Sequence, residues 1–226
     1  MSKASKSSTG PPSKKVYIVE DHPVFREGLT QIVHGEPDLK VCGSAGDATK
    51  AHEDIKRLKP DLVLVDISLP GKSGLELIKD LRAADSKVKI LVVSMHDEAL
   101  YANRVLRLGG DGYIMKEEDP SEIVNAIRDV LNDHIYVSEE VLANSGKAVR
   151  PAPRPEERLL DRLCDVELEV LELLGQGKSN EEIAGVMGCG IPKVTSSCAA
   201  MRKKLGLTSD NALVRYAVTW IETGRA

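Results

Sequence analysis

"DLVLVDISLPGKSG" runs from Asp61 to Gly74, and the fold turns on how it is read. Its apolar run, "LVLV", is unbroken, as in a strand covered on both faces. The run ends on an acid, Asp66. Pro70 and Gly71 then form a turn pair, and an amphipathic stretch follows over about 74–84. A strand that ends in a carboxylate, turns and passes into a helix is one unit of a parallel α/β sheet.

The same unit recurs on either side. "VYIV", "KVCGSA", "KILVVS" and "GYIM" alternate with amphipathic stretches near 23–34, 47–58, 98–108 and 120–132. Five strands alternating with five helices predict a doubly wound, five-stranded parallel sheet. Its ligand chemistry gathers at the carboxyl ends of the strands. Polar residues stand at those ends: Glu20 and Asp21 after the first run, Asp66 after the third, Ser94 after the fourth and Lys116 after the fifth.

Any one of these residues, taken alone, is a helix cap or a solvated loop residue. Together they make a pocket of three carboxylates, which raise one another's pKa unless a cation sits among them. Oxygen donors of this kind suit Mg²⁺. Asp66 could then act as a nucleophile and form an acyl phosphate. Mg²⁺, the Lys116 ammonium and the Ser94 hydroxyl would hold the phosphoryl oxygens.

Beyond residue 137 the character changes. "SGKAVRPAPRPEER" (145–158) holds three prolines among mixed charges and reads as a linker. Only helical patterns follow, near 165–174, 179–187, 191–205 and 210–222, with glycine turns "GQGKS" and "GCGIP" between them. This spacing predicts a small all-α helix-turn-helix domain. Ser179 and Glu182 fit a capping box. Val194, Cys198, Met201 and Leu205 fall on one helical face, which makes Cys198 a core residue rather than a redox sensor. Pro192 sits in the first turn of that helix, where it is tolerated. The chain therefore divides into a polar tail over 1–13 that is expected to be disordered, an α/β domain over 14–137, a linker over 138–162 and a helical domain over 163–226.

At 42% hydrophobic and 29% charged residues the composition is that of a soluble protein. No apolar run approaches the roughly 18 residues that cross a bilayer. The polar N-terminus lacks a signal-peptide core, and the four cysteines show no CxxC spacing, so the expected location is the reducing cytoplasm.

Residues 14–137 resemble the receiver domains of two-component response regulators, through "IVEDHPVFREGL", "LVLVDISLPGKSGLEL", "ILVVSMH" and "GYIMK". The resemblance implies a flavodoxin-like fold in which Asp66 accepts phosphate from a sensor histidine kinase. It implies Mg²⁺ held by Glu20, Asp21, Asp66 and the backbone carbonyl of Ser68. Ser94 and Tyr113 match the switch pair, and Lys116 the phosphate-binding lysine. Such a chain is a regulator that catalyses only its own phosphotransfer and dephosphorylation. His96, two residues past Ser94, reads as a surface loop histidine; the alternative is a residue that tunes how long the phosphate lasts. A stand-alone phosphatase is disfavoured because Ser68 stands where a second catalytic aspartate would be.

Residues 163–224 resemble the helix-turn-helix output domain of the LuxR/NarL group, through "ELEVLELLGQGKSNEEIAGVMG", Val194 and "KKLGLTSDNALVRYA". The resemblance implies binding to promoter DNA, as a homodimer when phosphorylated. The exposed face of the recognition helix departs from the pattern. Thr195, Ser196, Ser197, Ala199 and Ala200 stand where lysine, histidine and other polar residues are usual. Gly190 replaces the usual serine, and "LCDVE" replaces "LTPRE". From residue 154 onward ten basic residues face eleven acidic ones, whereas a DNA-binding module usually has a basic footprint. Lys193, Arg202, Lys203 and Lys204 still bracket the helix. The expected arrangement puts Thr195, Ser196 and Ala199 toward the bases, with Lys193 and Lys203 on phosphates. The alternative is a helical domain that binds a protein partner, because small residues permit close helix approach.

Overall fold

The computed structural model describes residues 13–139, 141, 160 and 162–223. The expected polar tail, apart from Ser13, and the proline-rich stretch over 145–158 lie outside the described residues.

Five strands, β1 (Lys14–Val19), β2 (Leu39–Ala45), β3 (Leu62–Val65), β4 (Lys89–Ser94) and β5 (Gly112–Met115), alternate with five helices. These are α1 (Pro23–His34), α2 (Ala48–Leu58), α3 (Gly74–Ala83), α4 (Glu98–Arg107) and α5 (Pro120–Leu131). The sheet order is β2-β1-β3-β4-β5, and every pairing is parallel. The order reverses direction at β1, so the crevice at the carboxyl ends of β1 and β3 is where ligand chemistry belongs.

The two faces of the sheet feed two apolar clusters. Val16, Ile18, Leu62, Leu64, Leu91 and Val93 pack on α1 and α5. Tyr17, Val63, Val65, Ile90 and Val92 pack toward α2, α3 and α4. This alternation explains the continuous apolar runs: with helices on both sides, no strand position in β3 can be polar.

The β3–α3 turn fixes the pocket. Ser73 caps α3 through a capping box with Glu76. Gly74 N–H donates to the Ile67 carbonyl at 2.9 Å. A Cβ on Gly74 would lie 2.0 Å from the Asp66 carbonyl oxygen. Only glycine lets the helix start this close behind Asp66.

Four further helices complete the chain: α6 (Asp165–Gly175), α7 (Asn180–Val186), α8 (Ile191–Leu205) and α9 (Asp210–Thr223). Ser179 and Glu182 form the expected capping box at the start of α7. Val194, Cys198, Met201 and Leu205 are buried together against Leu171, Ile183, Leu213 and Trp220. Gly206, at φ +70°, ends α8 in the left-handed conformation that glycine accepts without strain. Among the described residues no helix is long and apolar enough to cross a membrane.

Candidate functional site

The strand ends bring the expected residues together. Asp66 follows β3, its N–H donating to the Val19 carbonyl at 2.9 Å, and Glu20 follows β1 with its N–H on Ala45 at 3.0 Å. Asp66, Glu20 and Ser94 are 3%, 1% and 0% exposed. Lys116 follows β5, anchored by its N–H on the Ser94 carbonyl. Its ammonium lies 2.8 Å from Asp66 Oδ2 and 2.6 Å from Glu20 Oε2, and stands over the Phe25 ring. One buried cation thus serves two buried carboxylates.

Burial and the Asp66 charge push the Glu20 carboxyl up, while Lys116 pulls it back. Burial works against the Lys116 charge, but Asp66 and Glu20 outweigh it and hold the ammonium above its ordinary value. The pocket also retains oxygen lone pairs that no hydrogen bond uses. Glu20 Oε2 has the Lys116 charge beside it but out of line for a hydrogen bond, and Asp21 Oδ1 is buried without a donor in line. Glu20, Asp21, His22 and Asp66 each offer one ligand atom, and these atoms lie within 4.8 Å of one another. Hard oxygen donors with unused lone pairs fit a small divalent cation. His22 was not singled out by its position in sequence. Its Nδ1 lies 2.8 Å from Asp21 Oδ1 and its side chain is 70% exposed, so it sits at the open edge of the cluster.

Ser68 and Tyr113 lie around the same pocket. Tyr113 is buried, and its hydroxyl donates to the His96 carbonyl at 2.7 Å. Ser68 Oγ lies 2.8 Å from His96 Nε2. His96 is not the surface loop residue expected from sequence: its side chain is 13% exposed. The reason is α6, which packs over the loop. Glu172 Oε2 lies 2.9 Å from His96 Nδ1 and accepts from the Tyr101 hydroxyl at 3.3 Å. Glu169 Oε1 accepts from Ser68 Oγ at 3.4 Å. Arg104 on α4 donates to Asp165 at 3.0 Å and to the Leu163 carbonyl at 2.6 Å. Burial disfavours charge on His96, yet Glu172, Glu169 and Asp66 together raise its pKa. Burial raises the Glu169 carboxyl, with Glu172 and Asp66 adding to it and His96 opposing.

The face of α8 is a second candidate surface. Lys193, Thr195, Ser196, Ala199 and Lys203 are all exposed, opposite the buried Val194, Cys198, Met201 and Leu205. The bracket of four basic residues is thinner than the sequence implied. Arg202 pairs with Asp210 at 3.2 Å, and Lys204 with the buried Glu167 at 2.6 Å. Lys193 and Lys203 form no ion pair among the described residues. The hydroxyls of Thr195 and Ser196 donate to the carbonyls of Ile191 and Lys193, so toward solvent each offers only its acceptor lone pairs.

Comparison with known proteins agrees with both halves. The response regulator receiver domain model matches residues 16–128, and the model of bacterial regulatory proteins of the luxR family matches residues 161–217. The oxygen regulatory protein NreC of Staphylococcus aureus (strain JH9) is 34% identical over 215 residues, covering 90% of this chain and 96% of that protein. A LuxR-family two-component response regulator from Aurantimonas sp. SI85-9A1 is 30% identical with a TM-score of 0.56, over 65% of this chain and 99% of that one. A structure of two RcsB dimers bound to two parallel DNAs is 25% identical with a TM-score of 0.55, over 92% of this chain and 98% of that one. The chain belongs to the two-component response regulators of the LuxR/NarL group, transcription regulators that join a receiver domain to a LuxR-type DNA-binding domain.

Proposed function

We propose that Asp66 is the phosphoacceptor, that Glu20, Asp21, Asp66 and the Ser68 carbonyl hold Mg²⁺, and that α8 reads promoter DNA. The carrying observation is the pair of short contacts from Lys116 to Asp66 and Glu20, made beside carboxylate oxygens with unused lone pairs. Asp66 Oδ attacks the phosphorus of a phosphohistidine on a sensor kinase. The P–O bond forms as the P–N bond breaks, and the imidazole leaves and takes a proton from solvent. A bound Mg²⁺ would supply positive charge for the phosphoryl oxygens. The Lys116 ammonium moves from carboxylate to phosphoryl oxygen, and the Ser94 hydroxyl donates to another.

Signal leaves the pocket through the loop after β4. Ser94 begins it, the Tyr113 hydroxyl holds the His96 carbonyl within it, and the His96 ring meets Glu172 on α6. A shift of Ser94 and Tyr113 toward a phosphoryl group biases this loop between two arrangements. Phosphorylated protein then pairs as a homodimer and places one α8 in each half-site. Thr195, Ser196 and Ala199 face the bases, with Lys193 and Lys203 on phosphates. Few charged contacts make single-site binding weak and dependent on avidity.

The test is a gel shift of the protein's own promoter region at low salt, with and without acetyl phosphate and Mg²⁺. Retardation that requires the donor and disappears in Asp66→Asn supports the reading. No retardation at tens of micromolar would assign the α8 face to a protein partner instead.

A further inference from the structure

A hollow of about 450 Å³ opens at the opposite end of the sheet from Asp66, between the C-terminal ends of α2 and α3, where the chain enters β3 and β4. That is room for a small organic ligand. Its floor is apolar: Ile55 and Leu81 are 3% and 1% exposed, with Pro60 and Val88 beside them. Three exposed lysines, Lys56, Lys59 and Lys87, stand on its rim. The acid in the lining, Asp61, is already engaged. Its side chain accepts from Lys15 N–H at 2.7 Å and lies 3.6 Å from the Lys14 ammonium.

Neighbouring cations are engaged as well. Lys15 Nζ donates to the Leu58 carbonyl at 2.9 Å, Arg57 pairs with Asp54, and Lys89 pairs with Asp111 and Asp133. Lys56, Lys59 and Lys87 form no ion pair or side-chain hydrogen bond among the described residues. The backbone adds a second sign. Lys59 ends α2 at φ 47°, in the left-handed region, directly before Pro60. Glycine or asparagine is the usual residue there, so this lysine costs stability while it sets a cation on the rim. Ser86 Oγ accepts from Val88 N–H at 3.4 Å, and its own hydrogen has no acceptor among the described residues.

We propose that this hollow binds a small organic anion. An aromatic body lies against Ile55, Pro60, Leu81 and Val88, and a carboxylate or phosphate group is held by Lys56, Lys59 and Lys87. Both parts are needed. A bare inorganic ion leaves the apolar floor wet, and a neutral ring leaves three lysines without a counter-charge. The site shares no residue with the carboxylate pocket, so it stands whether or not Asp66 is the phosphoacceptor.

The test is a titration of the isotope-labelled full chain, without Mg²⁺, followed by backbone amide NMR shifts. The probes are 2-naphthoate, 2-naphthyl phosphate, 2-naphthol and inorganic phosphate, each taken to about 5 mM, the weak end for ligands of this size. At least one aryl anion should shift the amides of Lys59, Asp61, Ser86 and Val88, and the tighter of the two identifies the anionic group. Neutral 2-naphthol and inorganic phosphate should each bind roughly tenfold more weakly, having lost one half of the recognition. Lys56→Ala and Lys87→Ala should each weaken the aryl anion about threefold, as for one exposed charge contact. The double charge reversal Lys56→Glu/Lys87→Glu should abolish binding while the amide shifts elsewhere stay those of the folded protein. Aryl anions that leave these four amides unmoved overturn the proposal. So does 2-naphthol bound as tightly as 2-naphthoate, or an aryl anion bound equally well by the double variant.

Discussion

The pocket around Asp66 and the outer face of α8 are built on opposite terms. In the pocket, buried charges sit within hydrogen-bond distance of one another, so each residue is constrained by several neighbours. On α8 the outward side chains are exposed, and the two hydroxyls are turned back on their own helix. A buried charged site tolerates few substitutions without loss. An exposed helix face keeps its fold whatever it carries, because its stability resides in Val194, Cys198, Met201 and Leu205 on the other side. The small side chains of Thr195, Ser196 and Ala199 on that exposed face therefore carry little of the domain's stability.

The sharpest way to break this contrast is at the pocket floor. Gly74→Ala forces a Cβ into the Asp66 carbonyl. It should destabilise the receiver half by about 3 kcal/mol or more, the cost of overpacking against rigid backbone. Denaturant unfolding followed by tyrosine fluorescence and by Trp220 should show the receiver transition moving early while the helical half moves less. Equal movement of both would mean the two halves unfold as one unit.

Lys116→Ala should come next, at about 3 kcal/mol without Mg²⁺, because it leaves Glu20 and Asp66 buried beside each other with no cation. Millimolar Mg²⁺ should restore part of that loss, measured as the midpoint of thermal unfolding with and without the metal. No rescue would argue against the metal assignment of Glu20, Asp21 and Asp66.

On the α8 side the effects should be smaller and should appear in binding alone. Lys203→Ala should weaken binding to all DNA sequences and reduce the slope of log affinity against log salt by about 1. Ser196→Ala should change stability by less than about 0.5 kcal/mol, since its hydroxyl only back-bonds Lys193, while altering sequence preference. A Ser196→Ala variant that unfolds the domain would place the residue in the scaffold and erase the contrast.

Much of this was legible in the sequence because local pattern and function coincide. The run "LVLV" before Asp66 is both the strand signal and the address of the carboxylate, and the helices fall within a residue or two of their periodic stretches. The helix over 191–205 was legible for a different reason: Gly190, Pro192 and Gly206 punctuate it at both ends. What the sequence hid was contact across the linker. His96 and Glu172 are 76 positions apart, and Arg104 and Asp165 are 61 apart. Glu169 and Glu172 read as ordinary helix-surface acids, because nothing in a helical period says which body the polar side meets. The back-bonded hydroxyls of Thr195 and Ser196 were hidden too, since rotamer choice leaves no trace in spacing.

The central claim is that Asp66 receives the phosphoryl group under the control of its carboxylate pocket. Intact-mass spectrometry of wild type and Asp66→Asn, each incubated with acetyl phosphate and Mg²⁺, tests it most directly. Wild type should gain the mass of one phosphoryl group and lose the gain when Mg²⁺ is chelated, and Asp66→Asn should gain none. An Asp66→Asn protein labelled as fully as wild type would contradict the account.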